Sequence, residues 1–316
     1  MKKIVYSVVV PCHNEEETVD AFYEAVIPVM EQTKEGFEII FINDGSKDKT
    51  EERLHAIAAK DDRVRVVSFA KNFGQQEGLY CGFKLAQGDA VIDIDVDLQD
   101  PVESILDMIA KWKEGYEVVH GRRLCRKGET FFKKITSTIY MSFMKHITGM
   151  EVPQNVGDFK LFDRKVIDVI ISMPERNRFL RGITAWVGFK QTFVDFERKE
   201  RTAGTTNYTF KKLLKLASNG VIAYSDYPLT LPLKVGVLGG VLSMITYLVF
   251  VILAICGVNV GVVPYLFPTI TLLMSMSFVF TGLSNLYVSR IYDEVKGRPH
   301  YIVSSTVNVE DESKIR

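Results

Sequence analysis

The feature that most constrains this chain is the alternation of short apolar runs with amphipathic ones from residue 1 to about 205. Ile4–Val10, Phe37–Ile42, Val64–Phe69 and Ala90–Ile94 are nearly unbroken apolar runs of strand length. Between them, Glu15–Gln32, Lys47–Ala59 and Gln75–Ala86 carry helical spacing, with Val19, Phe22, Tyr23 and Val26 on one face of the first. Strands that are apolar throughout must be buried on both faces, and the intervening helices supply the cover. The expected fold is α/β with a mostly parallel sheet. Such sheets bind ligands outside the carboxyl ends of their strands. Here those ends read Pro11-Cys12-His13-Asn14-Glu15, Asn43-Asp44-Gly45-Ser46, Ala70-Lys71-Asn72-Phe73-Gly74 and Asp95-Val96-Asp97. Polar, turn-forming residues thus collect at one edge.

The fourth of these ends carries the sharpest chemistry. Asp95 and Asp97 are two apart, which puts both side chains on one side of an extended backbone. Carboxylates held that close repel unless a cation lies between them. Oxygen ligands with open positions suit Mg²⁺ or Mn²⁺ bound partly through a substrate's phosphates. The same residues also fit a solvated turn with Asp100 capping a helix and Pro101 at its first position.

Other classes are excluded by inspection. No Gly-x-Gly-x-x-Gly follows the first strand and no P-loop motif occurs. Lys plus Arg and Asp plus Glu both number 39, so no net field draws nucleic acid. Cys12, Cys81, Cys125 and Cys256 are scattered, which supports neither a zinc site nor a disulfide framework. Lys2 and Lys3 precede an apolar run that Pro11 and His13 interrupt, so no signal peptide is expected.

Between Lys234 and Arg290 lie 55 residues with no Asp, Glu, Lys, Arg or His. One bilayer span takes about 20 apolar residues, so Val235–Cys256 and Pro264–Ser289 are expected as two spans joined by a Gly- and Asn-containing turn. Lys211, Lys212, Lys215 and Lys234 precede the pair, and Arg290, Lys296 and Arg298 follow it. The positive-inside rule then places both termini in the cytoplasm. Phe210, Leu213, Leu214, Ala217 and Val221 form one face of a helix whose other face is basic, the pattern of a helix lying in the membrane interface. An amphipathic helix packed on the globular domain has the same pattern. The expected domains are a cytoplasmic one at 1–208, an interfacial segment at 209–230, a membrane hairpin at 231–290 and a cytoplasmic tail at 291–316. Small residues Gly236, Gly239 and Gly240 allow close helix packing and hence a homo-oligomer.

Several motifs carry a family resemblance. Val8-Val-Val-Pro-Cys-His-Asn-Glu15, Ile42-Asn-Asp-Gly-Ser-Lys-Asp48, Asn72-Phe-Gly74 and Asp95-Val-Asp-Leu-Gln-Asp-Pro101 resemble the signature set of inverting family-2 glycosyltransferases. Gly157-Asp-Phe-Lys-Leu-Phe-Asp-Arg164, Arg178-Phe-Leu-Arg-Gly182 and Arg201-Thr-Ala-Gly-Thr-Thr-Asn-Tyr208 resemble the polyprenyl-phosphate branch, which includes bactoprenol glucosyltransferases and dolichol-phosphate mannose synthases. His13 stands where the family often has Tyr or Phe, Thr206 where it usually has Ser, and Asn207 where Lys is frequent. The processive synthases' Gln-x-x-Arg-Trp motif is absent.

The resemblance implies a GT-A type sheet and transfer of one sugar, glucose from UDP-glucose foremost, to a polyprenyl phosphate. It implies Asp95, Asp97 and Gln99 as contacts of Mg²⁺ or Mn²⁺. Asp44 is implied to hold the nucleoside, with Pro11, His13 and Glu15 around the base and Val96 beside the donor. Asp158 takes the position of a base or acceptor-site carboxylate. Arg123 and Arg201 are implied to clamp phosphate oxygens, and Arg178, Arg181 and Thr206 to meet the lipid phosphate. Asp44 also fits a type I turn and Asp158 a helix cap. Transfer to another membrane lipid such as diacylglycerol or ceramide, and an inactive membrane scaffold, are the competing functions.

Overall fold

The computed structural model describes residues 3–124, 156–173, 180–197, 263–309 and 311–315, with isolated positions at 245, 252, 255 and 256. The chain falls into two units, one of residues 1–210 with 299–316 and one of residues 211–298.

The first unit is built on one eight-stranded sheet. Its strands are β1 (Ile4–Cys12), β2 (Gly36–Asn43), β3 (Val64–Phe69), β4 (Ala90–Asp93), β5 (Val118–Arg123), β6 (Val156–Asp163), β7 (Gln191–Phe196) and β8 (Val303–Val307). Their spatial order is β7-β5-β6-β4-β1-β2-β3-β8. β1 pairs in parallel with β2 and β4, β2 with β3, and β5 with β7. β6 runs antiparallel between β4 and β5, and β8 runs antiparallel on β3. The mostly parallel α/β sheet expected from the sequence is therefore present.

Helices α1 (Val19–Glu31), α2 (Thr50–Ala58), α3 (Gln75–Leu85), α4 (Ser104–Lys113), α5 (Arg164–Ser172) and α6 (Leu180–Trp186) belong to the same unit. Strand alternation sorts the core. Val8, Val10, Ile39, Phe41 and Ile92 join Phe22, Val26, Leu54, Ile105 and Met108 in one buried cluster. Val9 points the other way, toward α3, where a Cβ on Gly82 would lie 2.2 Å from a Val9 methyl. That glycine lets α3 seat directly on the sheet.

α1 begins four residues later than its apolar pattern. The Glu15 N–H bonds to Thr50 Oγ1 at 2.8 Å and the Glu16 N–H to the Asp48 carboxylate at 3.2 Å. The first turn of the pattern is thus spent joining the loop after β1 to the loop after β2.

One expectation needs correction, and a second finds no support among the described residues. Residues 291–316 are not simply a tail, because β8 completes the sheet of the first unit. Its antiparallel pairing with β3 joins Val66 to Val307 and Phe69 to Val303. In the second unit, residues Val263–Val295 form one helix, α7, of 33 residues. Among the described residues no helix is long and apolar enough to cross a membrane, so the two-span expectation finds no support there. Within α7, Thr281 Oγ1 donates back to the Ser277 carbonyl. The first expected span, 235–256, and the expected interfacial segment lie almost wholly outside the described residues.

Candidate active site at the carboxyl edge of the sheet

β4 ends at Asp93, and the chain then turns through Asp95, Asp97 and Leu98. Leu98 has φ +56°, an uncommon conformation for a leucine that marks a sharply turned, over-determined loop. The Asp95 carboxylate accepts a hydrogen bond from Gln75 Nε2, at the start of α3, at 2.7 Å. Burial pushes the Asp95 carboxyl up to about 7, with further upward pressure from Asp158, Asp97 and Asp100 in that order and partial relief from Arg123. Four carboxylates and one guanidinium therefore share one field. The sequence spreads these groups from residue 95 to 158, and the antiparallel seat of β6 beside β4 brings them together.

Asp158 lies on β6, not at a helix start. The cap of α5 is Asp163, whose carboxylate accepts from the Lys165 N–H. Asp100 is likewise no cap. Its side chain is 2 % exposed and takes Arg123 Nε at 3.2 Å and Nη2 at 3.0 Å. Arg123 thus commits Nε and Nη2 to Asp100, and the phosphate clamp the resemblance implies would fall to its remaining donors. Gly157 makes room, since a Cβ there would come within 2.8 Å of Arg123 Nη2. Arg122 instead pairs with Asp195.

Val96 lies in the same turn as Asp97. Its side chain is buried in the main core cluster, so only its backbone is left to face a donor. Gln99 is buried beside the same turn, and its N–H donates to the Asp97 carboxylate at 3.1 Å. Pro11 is buried in β1, close to Gly78 of α3. Asp44 is 3 % exposed, and its carboxylate accepts from the Phe73 N–H at 2.6 Å and the Gly74 N–H at 2.9 Å. It therefore pins the loop after β3. Gly45 has φ +61°, and a Cβ there would lie 2.3 Å from the Lys71 backbone, so the loops after β2 and β3 touch main chain to main chain. His13 is exposed, and its Nδ1 lies 2.8 Å from the Asp44 carbonyl. Glu15 accepts from Thr18 Oγ1 at 2.8 Å.

Arg178, Arg201 and Thr206 lie outside the described residues. Arg181 falls on α6, and the placement of its side chain is likewise outside them. Sequence reasoning missed Gln75 and the Asp100–Arg123 pair. Asp100 offered one signal, being a carboxylate directly after a two-carboxylate turn.

The donor set fits a divalent cation of the Mg²⁺ or Mn²⁺ type. The fit rests on Asp95, whose carboxyl is held up first by burial and then by the neighbouring carboxylates Asp158, Asp97 and Asp100, whose repulsion a cation would offset. Among the described residues no group of three or more His, Cys, Asp or Glu side chains is placed to hold a metal ion, so a cation here would rest on the two aspartates and a substrate's phosphates. Two aspartates would leave positions open to phosphate oxygens.

The profile of the family described as "Glycosyl transferase family 2" matches residues 7–171, which include every residue of this edge from His13 to Asp158. The chain belongs to glycosyl transferase family 2. An uncharacterized glycosyltransferase of Bacillus subtilis, YkcC, is 44 % identical over 322 residues, covering 100 % of this chain and 98 % of its own. The bactoprenol glucosyl transferase of Shigella phage SfII is 39 % identical over 307 residues, covering 95 % and 97 %. A prophage bactoprenol glucosyl transferase homolog of Escherichia coli is 40 % identical over 299 residues, covering 94 % and 97 %. Among solved structures, Mycobacterium tuberculosis glucosyl-3-phosphoglycerate synthase in complex with Mn²⁺, UDP and glucosyl-3-phosphoglycerate overlaps 70 % of this chain and 78 % of its own, with 22 % identity and TM-score 0.47.

Proposed function

We propose that this family-2 glycosyltransferase moves one sugar, glucose from UDP-glucose as the first candidate, to a polyprenyl phosphate with inversion. The observation that carries the reading is the convergence of Asp95, Asp97 and Asp158 at the carboxyl edge. Nearly full-length similarity to bactoprenol glucosyl transferases supports the acceptor class.

The residues divide the work by chemistry. Asp95 and Asp97, with Gln99 behind them, hold the cation, which when bound offsets the charge of the departing nucleoside diphosphate. The acceptor phosphate is already an anion near pH 7 and needs little proton abstraction. Asp158 then serves to orient the acceptor opposite the leaving group. Arg123 keeps Asp100 neutralised, so the edge stays anionic only where the cation sits. Arg201, Arg178, Arg181 and Thr206 are assigned to donor and lipid phosphates on the family resemblance. The fixed guanidinium fork suits that task.

A lipid acceptor requires that the enzyme reach the bilayer. The 55-residue uncharged stretch supports a two-span anchor with both termini cytoplasmic. On α7, Leu266, Ile270 and Leu273 are each at least half exposed, which supports contact with lipid or with another copy. The sheet adds an independent argument. β3 and β8 are hydrogen-bonded neighbours, so they lie on the same side of any membrane. Whatever lies between them crosses an even number of times, and two is the number the sequence supports.

A donor screen tests the reading. The full chain is given each common UDP-, GDP- and ADP-sugar with undecaprenyl phosphate, with and without Mn²⁺ or Mg²⁺, and the lipid product is treated with mild acid. An acid-labile glycolipid whose formation needs the metal and is lost in Asp97→Asn is the expected result. An acid-stable product would redirect the acceptor to a lipid such as diacylglycerol. No transfer from any donor would sink the assignment.

A further inference from the structure

We propose that strand β8, which follows the long uncharged stretch in sequence, forms a wall of the donor-nucleoside pocket, and that Ser304 helps to position the nucleoside there. This rests on the glycosyltransferase reading above.

Along the carboxyl edge, Asp95 follows β4, and β1, β2, β3 and β8 come next in space. Strands lie about 4.8 Å apart, so two strand spacings place the loop after β2 about 10 Å from the proposed cation. A nucleoside diphosphate held at the cation therefore extends its base end over β1 to β3. A cavity of about 700 Å³ opens there, lined among others by His13, Ser46, Phe69, Lys71, Asn72 and Ser304. Phe69 and the His13 imidazole amid amide, hydroxyl, ammonium and carboxylate groups, the last from Glu51, are the chemistry that takes up a base and its ribose.

The contribution of β8 is fixed by its neighbours. The Ala70 N–H donates to the Ile302 carbonyl at 2.9 Å. Tyr301 stacks on Phe69 with ring centroids 4.8 Å apart and planes within 10°. Ser304 Oγ donates its single proton to the Ser68 carbonyl at 3.0 Å. Toward the cavity that oxygen can then only accept. Its complement on the ligand is a ribose hydroxyl or a base N–H.

The test uses the full chain with Mn²⁺ and UDP, GDP, ADP and CDP as separate probes. Ser304→Tyr should weaken binding of the preferred diphosphate at least tenfold. Ile302→Tyr, at a side chain 52 % exposed and away from the cavity lining, should leave it within twofold. Unchanged affinity in Ser304→Tyr, or equal loss in both variants, overturns the proposal. Ser304→Cys keeps the side chain's size and guards against misfolding of the larger variant. In a background lacking Cys125 and Cys256, a saturating diphosphate should slow its alkylation at least fivefold and leave Ile302→Cys unprotected. Equal rates with and without nucleotide overturn the proposal. If the unaltered chain binds none of the four probes, the donor reading itself has failed.

Discussion

Arg123→Gln separates two roles for one residue. The family resemblance makes Arg123 a phosphate clamp, and the structure makes it the counter-ion of Asp100. Asp100 is 2 % exposed and Arg123 27 %, and two guanidinium nitrogens reach the carboxylate at 3.0 and 3.2 Å. Removing one partner of such a pair leaves a buried charge unmatched, at a cost of about 3–5 kcal/mol. Here the orphaned carboxylate would also face Asp95 and its acidic neighbours, which puts the loss toward the upper end. For a unit of this size each kcal/mol moves the melting temperature by about 2–4 °C, so Arg123→Gln should melt roughly 10–20 °C lower. Thermal unfolding of the full chain in detergent, followed at Trp112 in a Trp186→Phe background, reads this directly. Adding Asp100→Asn removes the stranded charge and should recover more than half of the loss. If Arg123→Gln melts with the parent while transfer collapses, the counter-ion argument is wrong and the guanidinium acts on substrate.

Two further outcomes follow from the geometry. His120 is buried in β5, Nε2 lies 2.7 Å from Gln191 Oε1, and burial pushes its pKa down from 6.5 to about 4. The unfolded chain takes up this proton below pH 6.5 and the folded chain does not, so folding stability should fall by about 2 kcal/mol between pH 7.5 and 5.0. His120→Gln should remove that increment from the pH dependence of the urea midpoint, and an unaltered slope would show that His120 titrates normally. For topology, a cysteine at Asn259 in a background lacking Cys256 should react with an impermeant thiol reagent in intact cells. One at exposed Ser313 should react only after lysis, and the reverse pattern would overturn the cytoplasmic placement of the site.

Local pattern made the first half of the sheet legible. β1 to β4 and the helices between them follow from runs of Val and Ile broken by helical spacing, and Val64–Phe69 agrees end to end. What failed was pairing between distant segments. β6 slips antiparallel between β4 and β5, and nothing in Val156–Asp163 announces that seat. β8 reads Val-Ser-Ser-Thr-Val, too short and too polar to stand out, and it is a strand because β3 offers an unpaired edge. The site shows the same division. Asp95 and Asp97 were visible as neighbours in sequence, whereas the hold of Asp100 on Arg123 needs β5 brought up beside the turn. The burial of the Val96 side chain likewise shows only in the fold, because motif membership says nothing about which way a side chain points.

The position of β8 also sets a clock. Ser304 and Ser68, joined by a hydrogen bond, are 236 positions apart in the chain. At about 5–20 residues per second of synthesis, β3 waits roughly 12–47 s for its partner. During that interval its edge is bare and the cavity beside it lacks a side. If β8 forms the proposed wall, the nucleoside pocket would be complete only after the whole uncharged stretch has been synthesised. A nascent chain that has not yet reached β8 would then have little hold on nucleotide.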